Sequence, residues 1–282
     1  MITRFAPSPT GYLHLGHACS AHEVWRIGRE VGAQVLLRIE DVDRERCKPQ
    51  FEHAIYDDLH WLGFDWPRPV RRQSDHVADY DASLQALAAH GLVYPCSCTR
   101  GQIAAHDPVL GWDGYVHPGT CRARAMTDRR PGDAIRLNLA SALDVIGTPP
   151  AFTETGLLHA GTHQPDPNDL LTQIGDPVLW RKTDDPAYHL ACPHDDAAQG
   201  ITHVTRGADL WRATFLHVVI QAVMGWPTPT YHHHGLVRDE SGQRLAKIDR
   251  SRALASYRAE GLTPQDIWRL VGVRPTAPFT AS

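Results

Sequence analysis

A chain of 282 residues with 42% apolar side chains can bury one large core or two modest ones, and a net charge of −4 gives no global attraction for nucleic acid. No apolar run reaches the ~20 residues of a membrane-spanning helix and no charged-then-apolar leader is visible, which predicts a cytoplasmic protein. Six cysteines are too sparse for a disulfide scaffold and suit a reducing compartment.

The first element is a short buried strand from Ile2, followed by a turn that Pro7, Pro9 and Gly11 force. Ala18, Ala21, Val24, Trp25 and Gly28 then recur at helical spacing, which predicts a helix over 18–31. In α/β proteins a strand, a Gly/Pro loop and a helix form a crevice for nucleotides. The helix N-terminus offers free backbone N–H groups and a positive dipole end to phosphate. His14 and His17 fall at that N-terminus, and their imidazoles can donate hydrogen bonds to phosphate oxygens as charge builds up during displacement. Gly16 leaves no side chain between the loop and a ligand.

Val35–Ile39 reads as a second strand, parallel to the first, ending in Glu40-Asp41-Val42-Asp43 at the ligand side of the sheet. Phe51, Ala54, Ile55, Leu59 and Leu62 define one amphipathic helix, and Val77, Tyr80, Leu84 and Leu87 another. At Tyr94 the texture changes to Gly, His, Asp and Pro. Cys96-x-Cys98 followed by His117-x₃-Cys121 offers three thiolates and an imidazole, the donor set of a tetrahedral zinc site. A zinc there would staple a segment that lacks a core of its own.

Ile135, Leu137 and Leu139 alternate as on a half-buried strand, 147–170 reads as loop, and Val178–Arg181 as a short strand. Leu210, Phe215, Val218, Val219 and Val223 mark a helix that Gly225 and Pro227 stop. His232, His233 and His234 alternate faces on an extended segment, which argues against a metal there. Local arginine clusters at 68/71/72, 122/124/129/130 and 244–252 are the candidates for RNA contact.

The string Arg4-Phe5-Ala6-Pro7-Ser8-Pro9-Thr10-Gly11-Tyr12-Leu13-His14-Leu15-Gly16-His17 resembles the first signature of class I aminoacyl-tRNA synthetases in the glutamyl form. Arg38-Ile39-Glu40-Asp41-x-Asp43, Tyr188-x-Leu190-Ala191 ahead of Asp195-Asp196, and Arg206-Gly207-x-Asp209-Leu210 are similar to further motifs of that family. Gly242–Ile248 resembles a variant of its K-M-S-K-S signature, with Arg244 for the first lysine and Ala246 for the serine; Lys247 keeps the phosphate-binding position. The resemblance covers residues 1 to about 250. It implies an α/β chain: a Rossmann-type catalytic domain (1–93 and 174–235), an inserted zinc-bearing subdomain (94–173), and a second-signature loop with a short C-terminal helical segment (236–282).

The implied reaction is activation of an amino acid by ATP, with His14, Gly16, His17 and Lys247 on the triphosphate and Mg²⁺ as ATP's partner. Little covalent chemistry falls to the protein, so positioning and charge stabilisation dominate. The implied glutamate site draws on Arg4, Phe5, Ala6, Pro7, Ser8, Glu40, Tyr188 and Arg206. Glu40 would meet the ammonium, and Arg4 and Arg206 one carboxylate each, in an order the sequence leaves open. Two positions depart from the family. Cys192 stands where asparagine is usual, and His117 where the C-x-C…Y-x₃-C zinc site has tyrosine, with Tyr115 the alternative ligand.

The short stretch after Lys247 predicts a chain without an anticodon-binding domain, which would take at least ~50 residues. In this the chain resembles the glutamyl-Q tRNA(Asp) synthetases. That resemblance implies a monomeric enzyme that activates L-glutamate without tRNA. Its acceptor would be queuosine in the anticodon stem-loop of tRNA(Asp). The alternatives are a truncated glutamyl-tRNA synthetase paralogue with another acceptor, a nucleotidylyltransferase of the H-x-G-H type, and an RNA-binding zinc module.

Overall fold

The computed structural model describes residues 1–235 and 252–273. β1 (Ile2–Phe5) and β2 (Gln34–Ile39) pair in parallel, Ile2 opposite Gln34 through Phe5 opposite Leu37, with β3 (Arg71–Arg72) parallel beyond β2. The crossover is α1 (Leu15–Glu30), which starts earlier than its apolar spacing predicts because His14 caps it. A Cβ on Gly28 would lie 2.7 Å from Val35 Cγ2, so only glycine lets this helix sit so close to β2.

α2 (Pro49–Trp61) and α3 (Val77–Ala89) bury the predicted faces: Ile55, Leu59, Tyr80 and Leu84 are fully buried. Two C-terminal helices, Leu254–Ala259 and Pro264–Leu270, pack Leu254, Tyr257, Ile267 and Trp268 into the same core as α1 and α2.

The second half repeats the logic. α7 (Tyr188–Ala198), β11 (His203–Gly207), α8 (Trp211–Met224) and β12 (Thr230–His234) follow in order, with β11 and β12 parallel. α8 ends at Gly225, which takes the left-handed conformation (φ 67°) that glycine tolerates. β11 runs beside β1, where Thr202 N donates to the Ile2 carbonyl at 2.9 Å. The strands therefore wind outward in both directions from the β1/β11 junction, which is the topological switch point where ligands bind in open α/β sheets.

The middle of the chain departs from expectation. β4 (Val93–Cys96) and β10 (Val178–Trp180) both pair antiparallel with β7 (Ala134–Leu137). The loop read at 147–170 contains β8 (Phe152–Glu154) and β9 (Gly161–His163) and the start of helix α6 (Pro167–Gln173). β8 pairs in parallel with β12, Glu154 opposite Tyr231. The expected insertion 94–173 thus shares sheets with segments on both sides of it. Three-residue strands carry too little alternation to be read locally; distant partners create them. Leu139 likewise opens helix α5 (Leu139–Ile146) instead of continuing β7, because Asn138 caps it by accepting from Ser141 N.

Candidate active site

The loop after β1 lies against the end of β2, with Glu40 N donating to the Pro7 carbonyl and Lys48 N to the Pro9 carbonyl, both at 3.1 Å. It delivers His14 and His17 to the start of α1 with their rings 3.9 Å apart. Gly16 N donates to His14 Nδ1 (3.0 Å) and His14 N to His17 Nδ1 (3.2 Å). With Nδ1 accepting in both rings, a neutral imidazole carries its proton on Nε2. Burial keeps both rings neutral, His14 below its usual range and His17 down to about 3, where His14 adds to the effect. The pair therefore presents two Nε2–H donors at a helix N-terminus. Phe5 does not line this loop: its ring enters the core 6.0 Å from that of Trp25. Pro7 is buried, Ala6 half-buried and Ser8 exposed.

Arg4 and Arg38 leave neighbouring strands and converge on one carboxylate of α7. Arg4 Nε and Arg38 Nη1 donate to Asp196 Oδ1 at 2.8 and 2.7 Å, and Arg38 Nη2 donates to Glu40 Oε1 at 3.0 Å. Burial would raise the Asp196 carboxyl, but the two guanidiniums bring it down to about 2. Glu40 stays above its usual range, because burial outweighs Arg38 and Arg4. Asp195, beside it, accepts from Arg71, Gln73 and Tyr80. The Cys192 thiol lies among these groups, 3.8 Å from Arg4 Nη2, and burial pushes it up to about 12.

Arg206, on β11, is different. Nε donates to His233 Nε2 (3.1 Å), Nη1 to Tyr188 Oη (3.1 Å) and Nη2 to Thr214 Oγ1 (2.7 Å), with His217 Nδ1 at 3.5 Å from Nη1. All four acceptors are neutral, and among the described residues this buried cation makes no ion pair. Burial raises the Tyr188 phenol well above its usual range, and Cys192, Arg206, Glu40 and Arg4 lie near enough for their charges to act on it. A cavity of about 830 Å³ opens from Tyr188 past His189, Arg181, Asp209 and Arg212 to Trp112. At its mouth His189 Nε2 meets Asp113 Oδ2 at 3.1 Å.

Sequence reading missed Arg38, Thr214, His217, Glu154 and His233 as parts of this site. Arg38 carried a signal, being polar on a strand between the buried Leu37 and Ile39. Lys247, Arg244 and Ala246 lie outside the described residues. The described chain leaves beside α1, where His234 Nε2 is 3.1 Å from Ser20 Oγ, and re-enters beside the motif loop, where Leu254 N donates to the Leu13 carbonyl at 2.8 Å.

The four sequence-predicted metal ligands form a second cluster. Cys96, Cys98, His117 and Cys121 offer ligand atoms within 4.8 Å of one another. Cys96 Sγ is 3.3 Å from His117 Nε2, and Cys98 Sγ 3.5 Å from Cys121 Sγ. His117 Nδ1 faces Tyr94 Oη at 3.3 Å, and Tyr94 donates to Asp176 Oδ2 at 2.6 Å. Gly119 N also donates to Nδ1, at 3.1 Å, so the nitrogen that faces Cys96 Sγ and would meet a metal is Nε2. Tyr115, the alternative ligand, is exposed on the hairpin of β5 (Leu110–Gly111) and β6 (Gly114–Tyr115). These donors fit a closed structural site, with no position left for water.

Among the described residues, most of the predicted RNA-contacting arginines are engaged internally. Arg71 pairs with Asp195, Arg72 with Asp41 and Glu52, Arg122 with Asp176, Arg124 with Asp133 and Arg129 with Asp184. No described helix is long and apolar enough to cross a membrane.

A family model described as tRNA synthetases class I (E and Q), catalytic domain, matches residues 1–108 and 166–278. The chain is 51% identical over 280 residues to a glutamyl-Q tRNA(Asp) synthetase of Rhodobacter capsulatus, covering 97% of this chain and 100% of that one. It is 38% identical over 261 residues to that of Thiobacillus denitrificans, covering 90% and 79%. A glutamate tRNA ligase from Elizabethkingia meningosepticum, solved in complex with its amino acid, matches with TM-score 0.72 and 25% identity over 95% of this chain. This chain spans 59% of that structure's length. A Mycobacterium tuberculosis methionyl-tRNA synthetase in complex with methionyl-adenylate shares the fold, with TM-score 0.60 at 12% identity.

Proposed function

The chain belongs to the class I tRNA synthetases of the glutamyl and glutaminyl kind, alongside the glutamyl-Q tRNA(Asp) synthetases, and from that premise we propose that it transfers glutamate to queuosine in the anticodon of tRNA(Asp). Enzymes of this family are ATP-dependent ligases that activate an amino acid and join it to tRNA. Membership removes the nucleotidylyltransferase and zinc-module alternatives. What carries the choice of glutamate is Arg206: a buried guanidinium held by neutral acceptors retains charge for a substrate carboxylate. Arg4 is already tied to Asp196.

In this reading Glu40 takes the ammonium. The reacting α-carboxylate must stay free to reach ATP, so the side-chain carboxylate is the one that needs a fixed partner, and Arg206 supplies it. Arg4 orients the α-carboxylate, and Ala6, Pro7, Ser8 and Tyr188 bound the pocket. The α-carboxylate oxygen attacks the α-phosphorus, the bond to pyrophosphate breaks, and glutamyl-adenylate forms. His14 and His17 donate from Nε2 to the phosphates as charge develops, with Gly16 leaving them access, Lys247 assisting and Mg²⁺ accompanying ATP. A hydroxyl of the queuosine cyclopentene-diol then attacks the activated carbonyl and AMP leaves.

The metal at Cys96, Cys98, His117 and Cys121 is zinc in this reading, since thiolates and imidazole favour it over hard cations; it fixes the fold of its segment. The deciding experiment supplies ATP, labelled glutamate and tRNA(Asp) with and without queuosine. Label that requires queuosine and survives removal of the 3′-terminal nucleotides supports the reading. Label on the 3′-terminal ribose overturns it.

A further inference from the structure

We propose that His233, fixed by Glu154, is a positioning residue that aims Arg206 and so sets the preference for glutamate over glutamine. This rests on the reading that Arg206 receives the side-chain carboxylate.

Glu154 is almost fully buried on β8 and is tied down from three sides. His233 N and Gly156 N donate to its Oε1 at 2.8 and 2.6 Å, and His233 Nδ1 lies 2.6 Å from its Oε2. Burial would raise this carboxyl, but the His233 contacts hold it below its usual range, so it is ionised and can only accept. The proton of the His233 ring therefore sits on Nδ1, and Nε2 is left as a lone pair facing Arg206 Nε–H. A protonated His233 would turn two donors on each other; burial prevents this by lowering the ring to about 4, against the pull of Glu154. Thr214 Oγ1 accepts from Nη2 and Tyr188 Oη from Nη1, so the planar fork is held with its Nη1 edge toward Tyr188 and a face over the Tyr231 ring, whose centroid is 5.4 Å from Cζ.

The backbone is shaped for this contact. A Cβ on Gly156 would collide with the His233 carbonyl, so β8 approaches β12 this closely only because residue 156 is glycine. The arrangement also explains why Glu154 stops short of Arg206. A carboxylate in direct contact would neutralise the guanidinium and compete with the substrate. An imidazole between them passes on orientation while leaving the cation unpaired.

The test is ATP–pyrophosphate exchange with L-glutamate and with L-glutamine on folded variants, foldedness being checked by thermal unfolding. His233→Leu removes the acceptor. The isosteric Glu154→Gln puts an amide donor into the cluster and forces the His233 proton toward Nε2. Both should raise the KM for glutamate about tenfold or more and shrink the glutamate/glutamine ratio of kcat/KM by a similar factor, with the KM for ATP within about twofold. His233→Gln, whose Oε1 can occupy the Nε2 position, should recover most of the preference. A glutamate/glutamine ratio within about twofold of the parent in Glu154→Gln and His233→Leu overturns the proposal. Arg206→Leu separates the two levels. If it abolishes the preference while the other two variants keep it, the relay alone falls. If it too leaves the preference intact, the assignment of Arg206 falls with it. Should His233→Leu fail to fold, Glu154→Gln decides on the same two outcomes.

Discussion

Two guanidiniums and one carboxylate show how much of this site is set by single charges. Asp196 is 4% exposed and serves both Arg4 and Arg38, so Asp196→Asn leaves two buried cations short of a partner. We expect a loss of about 3–5 kcal/mol near neutral pH, read by urea unfolding. The folded carboxyl titrates at about 2, below the ~3.9 of an unfolded aspartate. Its contribution is therefore present above ~3.9 and lost as pH falls through about 2, so the parent and Asp196→Asn should converge in acid. At the metal cluster, purified protein should carry about one zinc per chain. His117→Ala should lose it and Tyr115→Phe keep it, because Tyr115 is 56% exposed while His117 faces Cys96. Zinc retained in His117→Ala and lost in Tyr115→Phe would reverse the ligand assignment.

Among the elements, α2 and the helix Leu254–Ala259 meet across a charge that burial handles poorly. Asp58 is fully buried, and its nearest cation is Arg258 with Nη2 3.5 Å from Oδ1. Burial raises this carboxyl to about 6 despite Arg258. A folded value above the unfolded ~3.9 means the folded chain binds the extra proton. The associated stability is present below ~3.9 and lost as pH rises through about 6. Asp58→Asn should therefore gain on the parent in urea midpoint as pH rises from 5 to 8, and a constant difference would refute the account. The same scale explains β8. Phe152–Glu154 has no periodicity to announce it, yet it pairs between β12 and β9 and carries Glu154 to His233.

At the scale of the whole molecule, the two halves of the sheet meet between β1 and β11, and the motif loop, Glu40, Tyr188 and Arg206 gather there. In the proposed reading, the residues that would hold glutamate all come from this chain. ATP–pyrophosphate exchange with L-glutamate should accordingly run at full rate with no tRNA present. A requirement for tRNA in that assay would mean that the pocket is incomplete until the acceptor docks.

The sequence by itself determined the parts whose chemistry is local. Two histidines beside a glycine at a helix start, an acidic turn at a strand end, and C-x-C with H-x₃-C need only nearby residues, and their spacing carries the geometry. The helices were legible because a buried face repeats every turn. The pocket was legible only by likeness to a known family, since Arg4, Tyr188 and Arg206 are far apart in the chain. Tertiary structure alone decided what each arginine does. Arg4 and Arg206 are the same side chain on neighbouring strands, but one faces Asp196 and the other faces neutral acceptors. No local pattern distinguishes them, because a charge acquires its role from the partners that folding places within a few ångströms, and those partners come from α7, α8 and β12.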